Sequence, residues 1–133
     1  MVEIFCDGGA RGNPGPAAYG FVVRDESGVI KEANGYIGVA TNNVAEYTAI
    51  VEALKWLSNH KKGEDLQFFL DSLLAASQLN GIYKVKNAKI RELLVKIREL
   101  ENQFSKITYQ HVPRDQNKEA DKQVNIALDS HGA

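Results

Sequence analysis

The chain has little of what would mark it for export, membrane insertion or disulfide stapling. Its 133 residues include a single cysteine, Cys6, so no internal disulfide can form, and a lone thiol fits a reducing compartment. No apolar run approaches the roughly 20 residues that a membrane span needs. The opening Met1-Val2-Glu3-Ile4-Phe5-Cys6-Asp7 has no basic stretch followed by an apolar one, so no secretion signal is read. A cytoplasmic protein without a membrane partner is expected. Charge of one sign is also lacking: 16 Lys plus Arg stand against 17 Asp plus Glu, a net of −1. Nucleic-acid binders are usually basic, so bulk charge argues weakly against one. Two features counter it. Cations bound by acids would offset their charge, and bases gather at His60-Lys61-Lys62 and at Lys84, Lys86 and Lys89.

What is present suits one ordinary domain, residues 1–133, expected to be monomeric. The 44% hydrophobic content is enough for a core. Val2 to Asp7 alternates, with Val2, Ile4 and Cys6 on one face, and reads as a strand. Gly8 to Pro16 reads as a turn-rich loop. Tyr19–Arg24 and Val29–Ile37 read as two strands joined through Asp25-Glu26-Ser27-Gly28. Asn43–Ser58 carries Val44, Tyr47, Ile50, Val51, Leu54 and Leu57 at helical spacing, with Asn43 and Glu46 arranged as a capping box. Leu66–Leu70 is a continuous apolar run, typical of a buried strand. A short helix follows over Leu73–Leu79. The Ala88–Glu101 helix has its stripe at Ile90, Leu93, Leu94, Ile97 and Leu100. A strand over Ile107–Val112 and a helix over Asn117–Leu128 close the chain. The order β-β-β-α-β-α-α-β-α predicts a mixed α/β sheet with helices on its faces.

Four acids fall at element ends. Asp7 ends the first strand and Asp71 the buried fourth one. Glu46 lies in the first turn of a long helix and Asp121 early in the last. A helical crossover between the third and fourth strands allows the first and fourth to run parallel, their carboxyl ends sharing the sheet edge where sites form. Crowded carboxylates repel, so such a cluster is costly unless cations bind. Hard oxygen donors select Mg²⁺ or Mn²⁺. Taken singly, each acid has an ordinary explanation. Glu46 suits a capping box, Asp71 a helix cap with Ser72, Asp7 a turn and Asp121 a helix first turn. The glycine-rich stretch after Asp7 lacks Gly-Lys-Ser/Thr and is not a P-loop. Cys6 reads as a buried small hydrophobe, His111 as a strand-face side chain, and His60 as a helix C-terminal residue.

Four ordered blocks span nearly the whole chain: Asp7-Gly8-Gly9-Ala10-Arg11-Gly12-Asn13-Pro14-Gly15; Thr41-Asn42-Asn43-Val44-Ala45-Glu46; Asp71-Ser72 leading to Tyr83-Lys84-Val85-Lys86-Asn87; and Val112-Pro113-Arg114 with Asn117 and Ala120-Asp121. Together they resemble the type 1 ribonuclease H family in its short form, without a basic protrusion. The resemblance implies a ribonuclease H-like fold, a five-stranded mixed sheet with helices on both faces. It implies a metal-dependent endonuclease that cuts the RNA strand of an RNA/DNA hybrid. Asp7, Glu46, Asp71 and Asp121 would be both catalytic and metal-binding, holding two Mg²⁺ ions with Mn²⁺ able to substitute. Gly8, Gly9, Asn13, Asn42 and Asn43 would face the hybrid, and Thr41 a phosphate of the DNA strand. Lys86 and Asn87 are further substrate contacts. The chain departs from the family in its final loop, where no His precedes Asp121 and Arg114 would assist product release instead. Leu73 stands where a polar residue is common. These departures motivate an alternative, a hybrid-binding module of the same fold with weak or no turnover. Another nuclease or integrase of the fold is a third reading.

Overall fold

The computed structural model describes residues 1–132. Five strands form one mixed sheet: β1 (Val2–Ala10), β2 (Gly15–Asp25), β3 (Gly28–Ala40), β4 (Asp65–Leu70) and β5 (Lys106–His111), in the order β3-β2-β1-β4-β5. The central β1 pairs antiparallel with β2 and parallel with β4, and β4 pairs parallel with β5. The parallel pairing of β1 with β4 needs a crossover, which α1 (Asn42–His60) supplies. Two further helices, α2 (Leu73–Leu79) and α3 (Ala88–Glu101), precede β5, and α4 (Lys118–Ser130) follows it after a single 3₁₀ turn at Arg114–Gln116.

The alternation of β1 sorts the two faces. Val2, Ile4 and Cys6 are buried in the main core with Tyr47, Ile50, Leu54 and Leu57 of α1, Ala75 and Leu79 of α2, and Ile90, Leu93 and Ile97 of α3. On the other face a smaller cluster joins Ala18 of β2 to Val124, Ala127 and Leu128 of α4. Helices therefore cover both faces, as the resemblance implies. Leu94 and Leu100 of the α3 stripe are only partly buried. Cys6 is buried and free, and His111 is exposed. No helix among the described residues is long and apolar enough to cross a membrane.

Three local expectations change. The glycine-rich stretch is mostly strand: Gly8, Gly9 and Ala10 pair with Tyr19, Ala18 and Ala17, leaving only residues 11–14 to turn. The Asn43–Glu46 capping box does not form. Thr41 is the N-cap, its Oγ1 accepting from the Val44 amide at 3.2 Å. The last helix starts at Lys118, because Asn117 turns its side chain inward. Its Nδ2 donates to the Cys6 carbonyl at 2.8 Å and the residue is 1% exposed.

Candidate active site

Two glycines let helices approach the sheet. Gly8 lies on the main-core face, where a Cβ would overlap the Ala45 and Glu46 backbone of α1. Gly20, the register partner of Asp7, lies on the other face, where a Cβ would come within 2.6 Å of the Ala120 carbonyl of α4. The absent side chains bring the N-terminal parts of α1 and α4 against the sheet from opposite sides. Asp121 lies in the first turn of α4, whereas Glu46, which the sequence placed in the first turn of α1, falls just beyond it. Asp71 arrives through the sheet itself. It follows Leu70, whose register partner is Cys6, so Asp71 emerges beside Asp7. The four acids line one cleft of about 260 Å³, together with Gly8, Gly9, Arg11, Asn42, Arg114 and Asn125.

Burial and mutual repulsion dominate the electrostatics. The Asp7 carboxyl is pushed up to about 8, first by burial and then by Asp71 and Glu46, although its Oδ1 accepts from the Gly8 amide at 2.9 Å. The Glu46 carboxyl is also pushed up to about 8, by burial and by Asp71. A hydrogen bond from Ser72 and the positive charge of Arg114 act in the opposite direction. Such a cluster does not carry its full negative charge unaided. Its donors are hard carboxylate oxygens, which suit a divalent cation of the Mg²⁺ or Mn²⁺ kind. Asp7, Glu46, Asp71 and Asp121 could hold such ions. Among the described residues no three acids, histidines or cysteines already stand in a group that could hold a metal ion, so the carboxylates line the cleft without forming a finished cation site.

Chemistry, not size, distinguishes this cleft. A hollow of about 340 Å³ beside Phe5 and Asn117 holds the Arg24–Glu119 ion pair at 2.6 Å, but none of the four acids.

The expected substrate residues fall in four places. Gly8, Gly9, Asn42 and Arg114 line the cleft. Asn13 and Asn42 form a clasp behind it: the Asn42 amide donates to Asn13 Oδ1 at 3.0 Å, and Asn42 Oδ1 accepts from the Ala10 amide at 2.8 Å. Thr41 and Asn43 start α1. Asn43 Oδ1 is shielded from solvent and receives no donor among the described residues. Lys86 and Asn87 lie outside the cleft, where Asn87 caps α3 by accepting from the Ile90 amide at 3.1 Å and the Lys86 carbonyl accepts from Arg91 at 2.9 Å. Leu73 opens α2 and is 58% exposed.

Sequence reasoning gave Ser72 only a helix-cap role and assigned none to Arg11 or Asn125. Ser72 caps α2 and also reaches Glu46. The spacing of Asn125, four residues after Asp121, could have flagged it, since such pairs share a helix face. Arg11 stood inside the first block, but Asn125 and Asp129, which its guanidinium meets, lie more than a hundred residues away.

Comparison with known proteins bears on the family and the fold. The family model described as "Reverse transcriptase-like" matches residues 5–127. The chain is 43% identical to a bifunctional protein of Mycobacterium tuberculosis over 97% of its own length and 36% of that protein's. It is 40% identical to ribonuclease HI of Halobacterium salinarum over 96% of its length and 64% of that protein's. Among solved structures, LC11-RNase H1 in complex with an RNA/DNA hybrid superposes with a TM-score of 0.95 at 38% identity, covering 100% of both chains. The halobacterial RNase H1 superposes with a TM-score of 0.91 at 39% identity, covering 97% of this chain and 98% of that one. The chain thus spans about a third of the mycobacterial relative and under two thirds of the full halobacterial one.

Proposed function

The chain belongs to the type 1 ribonuclease H family, and from that premise we propose that it hydrolyses the RNA strand of RNA/DNA hybrids, leaving 5′-phosphate and 3′-hydroxyl ends. The observation that carries the reading is the convergence of Asp7, Glu46, Asp71 and Asp121 on one cleft. Asp7 and Asp121 would hold one Mg²⁺ ion and Asp7, Glu46 and Asp71 a second, with Mn²⁺ able to substitute. When bound, such a pair supplies nucleophile activation and charge neutralisation for in-line displacement at a phosphodiester.

The protein's own groups do the rest. Gly8 and Gly9 bring bare backbone to the cleft, where N–H and C=O groups can meet the 2′-hydroxyls that distinguish RNA from DNA. The Asn13–Asn42 clasp holds that backbone against α1. Thr41 and the α1 N-terminus suit a DNA-strand phosphate. Lys86 and Asn87 offer a more distant contact from the start of α3. Arg114 faces Glu46 across the cleft and is the cation placed to take the product phosphate. A cytoplasmic monomer is the corresponding setting, supported by the buried unpaired Cys6 thiol.

A labelled hybrid incubated with Mg²⁺, with Mn²⁺ or with chelator, beside an Asp7→Asn variant, tests this. Metal-dependent cutting by the parent and none by the variant is expected. The exposed Leu73 favours the second reading, a hybrid-binding module. Hybrid retardation in a gel without cleavage under any metal would establish that reading instead, and equal cutting of duplex DNA would favour another nuclease of the fold.

A further inference from the structure

Asp121, Asn125 and Asp129 follow one another at intervals of four along α4, so they share one stripe of the helix. Arg11, from the turn that follows β1, lies across that stripe. It pairs with Asp129 at 2.8 Å, and its Nη2 donates to Asn125 Oδ1 at 3.4 Å. Asn125 Nδ2 in turn donates to the Asp121 carbonyl at 3.2 Å and to Asp121 Oδ2 at 3.3 Å. We infer that Arg11 and Asn125 are positioning residues that orient the Asp121 carboxylate toward the cation it shares with Asp7.

The direction of the amide carries the argument. An Asn side chain offers an acceptor on one side and two donors on the other. Arginine has donors only, so Arg11 commits Asn125 Oδ1 to itself and leaves Nδ2 for Asp121. The flipped amide would turn Nδ2 toward a guanidinium and Oδ1 toward a carboxylate, losing both bonds. Asp129 anchors the same Arg11 Nη2 at 2.8 Å. The result is a hydrogen-bonded line from Arg11, in the turn after β1, through Asn125, 114 residues beyond it, to the Asp121 carboxylate. It holds one oxygen of Asp121 and leaves the other for a ligand, the usual arrangement behind metal-binding carboxylates.

The inference rests on the metal-binding reading above, and cation uptake without any hybrid tests both separately. Mn²⁺ is titrated calorimetrically into the parent, Asn125→Ala, Arg11→Gln and the double variant, with melting temperatures of the metal-free proteins as a folding control. Asn125→Ala changes no charge and should weaken Mn²⁺ binding about tenfold. Arg11→Gln should weaken it in the same direction, and the double variant no further than Asn125→Ala alone, because both act on one line. A guanidinium acting only through its charge would repel the cation, so tighter binding by Arg11→Gln would overturn the inference. Undiminished binding by Asn125→Ala would overturn it too. If the parent takes up no Mn²⁺, the metal-binding reading fails along with it.

Discussion

Gly8 rests its bare backbone on the peptide that joins Ala45 to Glu46. The contact fixes how near Glu46 stands to Asp7, the residue preceding Gly8. It also assigns this glycine a structural requirement besides any contact with a sugar. Gly8→Ala forces α1 away from β1. Its expected cost is about 1–3 kcal/mol, as for overpacked interiors. Thermal unfolding should show the loss, and cleavage should fall further than stability does, because the displaced turn carries Glu46.

The metal-free cleft makes stability depend on pH. Asp7 and Glu46 are raised to about 8, against about 4 in an unfolded chain. Between those values the folded state binds more protons than the unfolded one, so stability falls as pH rises through that window. In chelator, the melting temperature should drop from pH 5 to pH 8, and Mn²⁺ should restore it while releasing protons. Asp7→Asn should raise the metal-free melting temperature at pH 8 by on the order of 5 °C. A melting temperature flat across this range would refute the account.

Arg114 counters the upward push on Glu46. Arg114→Ala should lower kcat by about tenfold or more through loss of a charge aimed at the phosphate. The limb on which activity rises with pH should move to higher pH, since Glu46 then keeps its proton longer. Arg114→Lys should preserve the limb and recover part of the rate. Steady-state kinetics between pH 6 and 9 separate the two effects.

At the opposite end of the sheet, Asp25 accepts from the Ser27 hydroxyl at 2.6 Å and from Lys61 at 3.0 Å. With the Ser27 amide, these lower its carboxyl to about 2. Its contribution is complete above the ordinary aspartate value and is lost as pH falls from about 4 to about 2. Asp25→Asn should therefore flatten the acid limb of unfolding while leaving the fall between pH 5 and 8 unchanged. Denaturant titrations from pH 2 to 8 provide the comparison.

The four acids stood out because each borders a strongly patterned apolar stretch, and strand and helix periods survive in a single sequence. Where the elements stop was less legible. Gly8 and Gly9 look like a turn, and only their pairing with Tyr19 and Ala18, ten residues away, makes them strand. Asn43 and Thr41 both suit a helix cap, and the choice depends on how β3 delivers the chain to α1. The least legible feature was the line through Arg11 and Asn125, since no local pattern links residues so far apart. Gly20 was equally silent: its role depends on α4, a hundred residues later.

The inward turn of Asn117 bears on when the cleft comes to exist during synthesis. Its side chain is bonded to the Cys6 carbonyl, one residue before Asp7, across 111 positions of sequence. A growing chain can pair β1 with β2 and seat α1 early, since those contacts are made within its first half. Until α4 has emerged, the Cys6 carbonyl lacks this partner and the cleft lacks Asp121. The four-acid cleft is therefore assembled in a single step with α4, the last of its elements to be made.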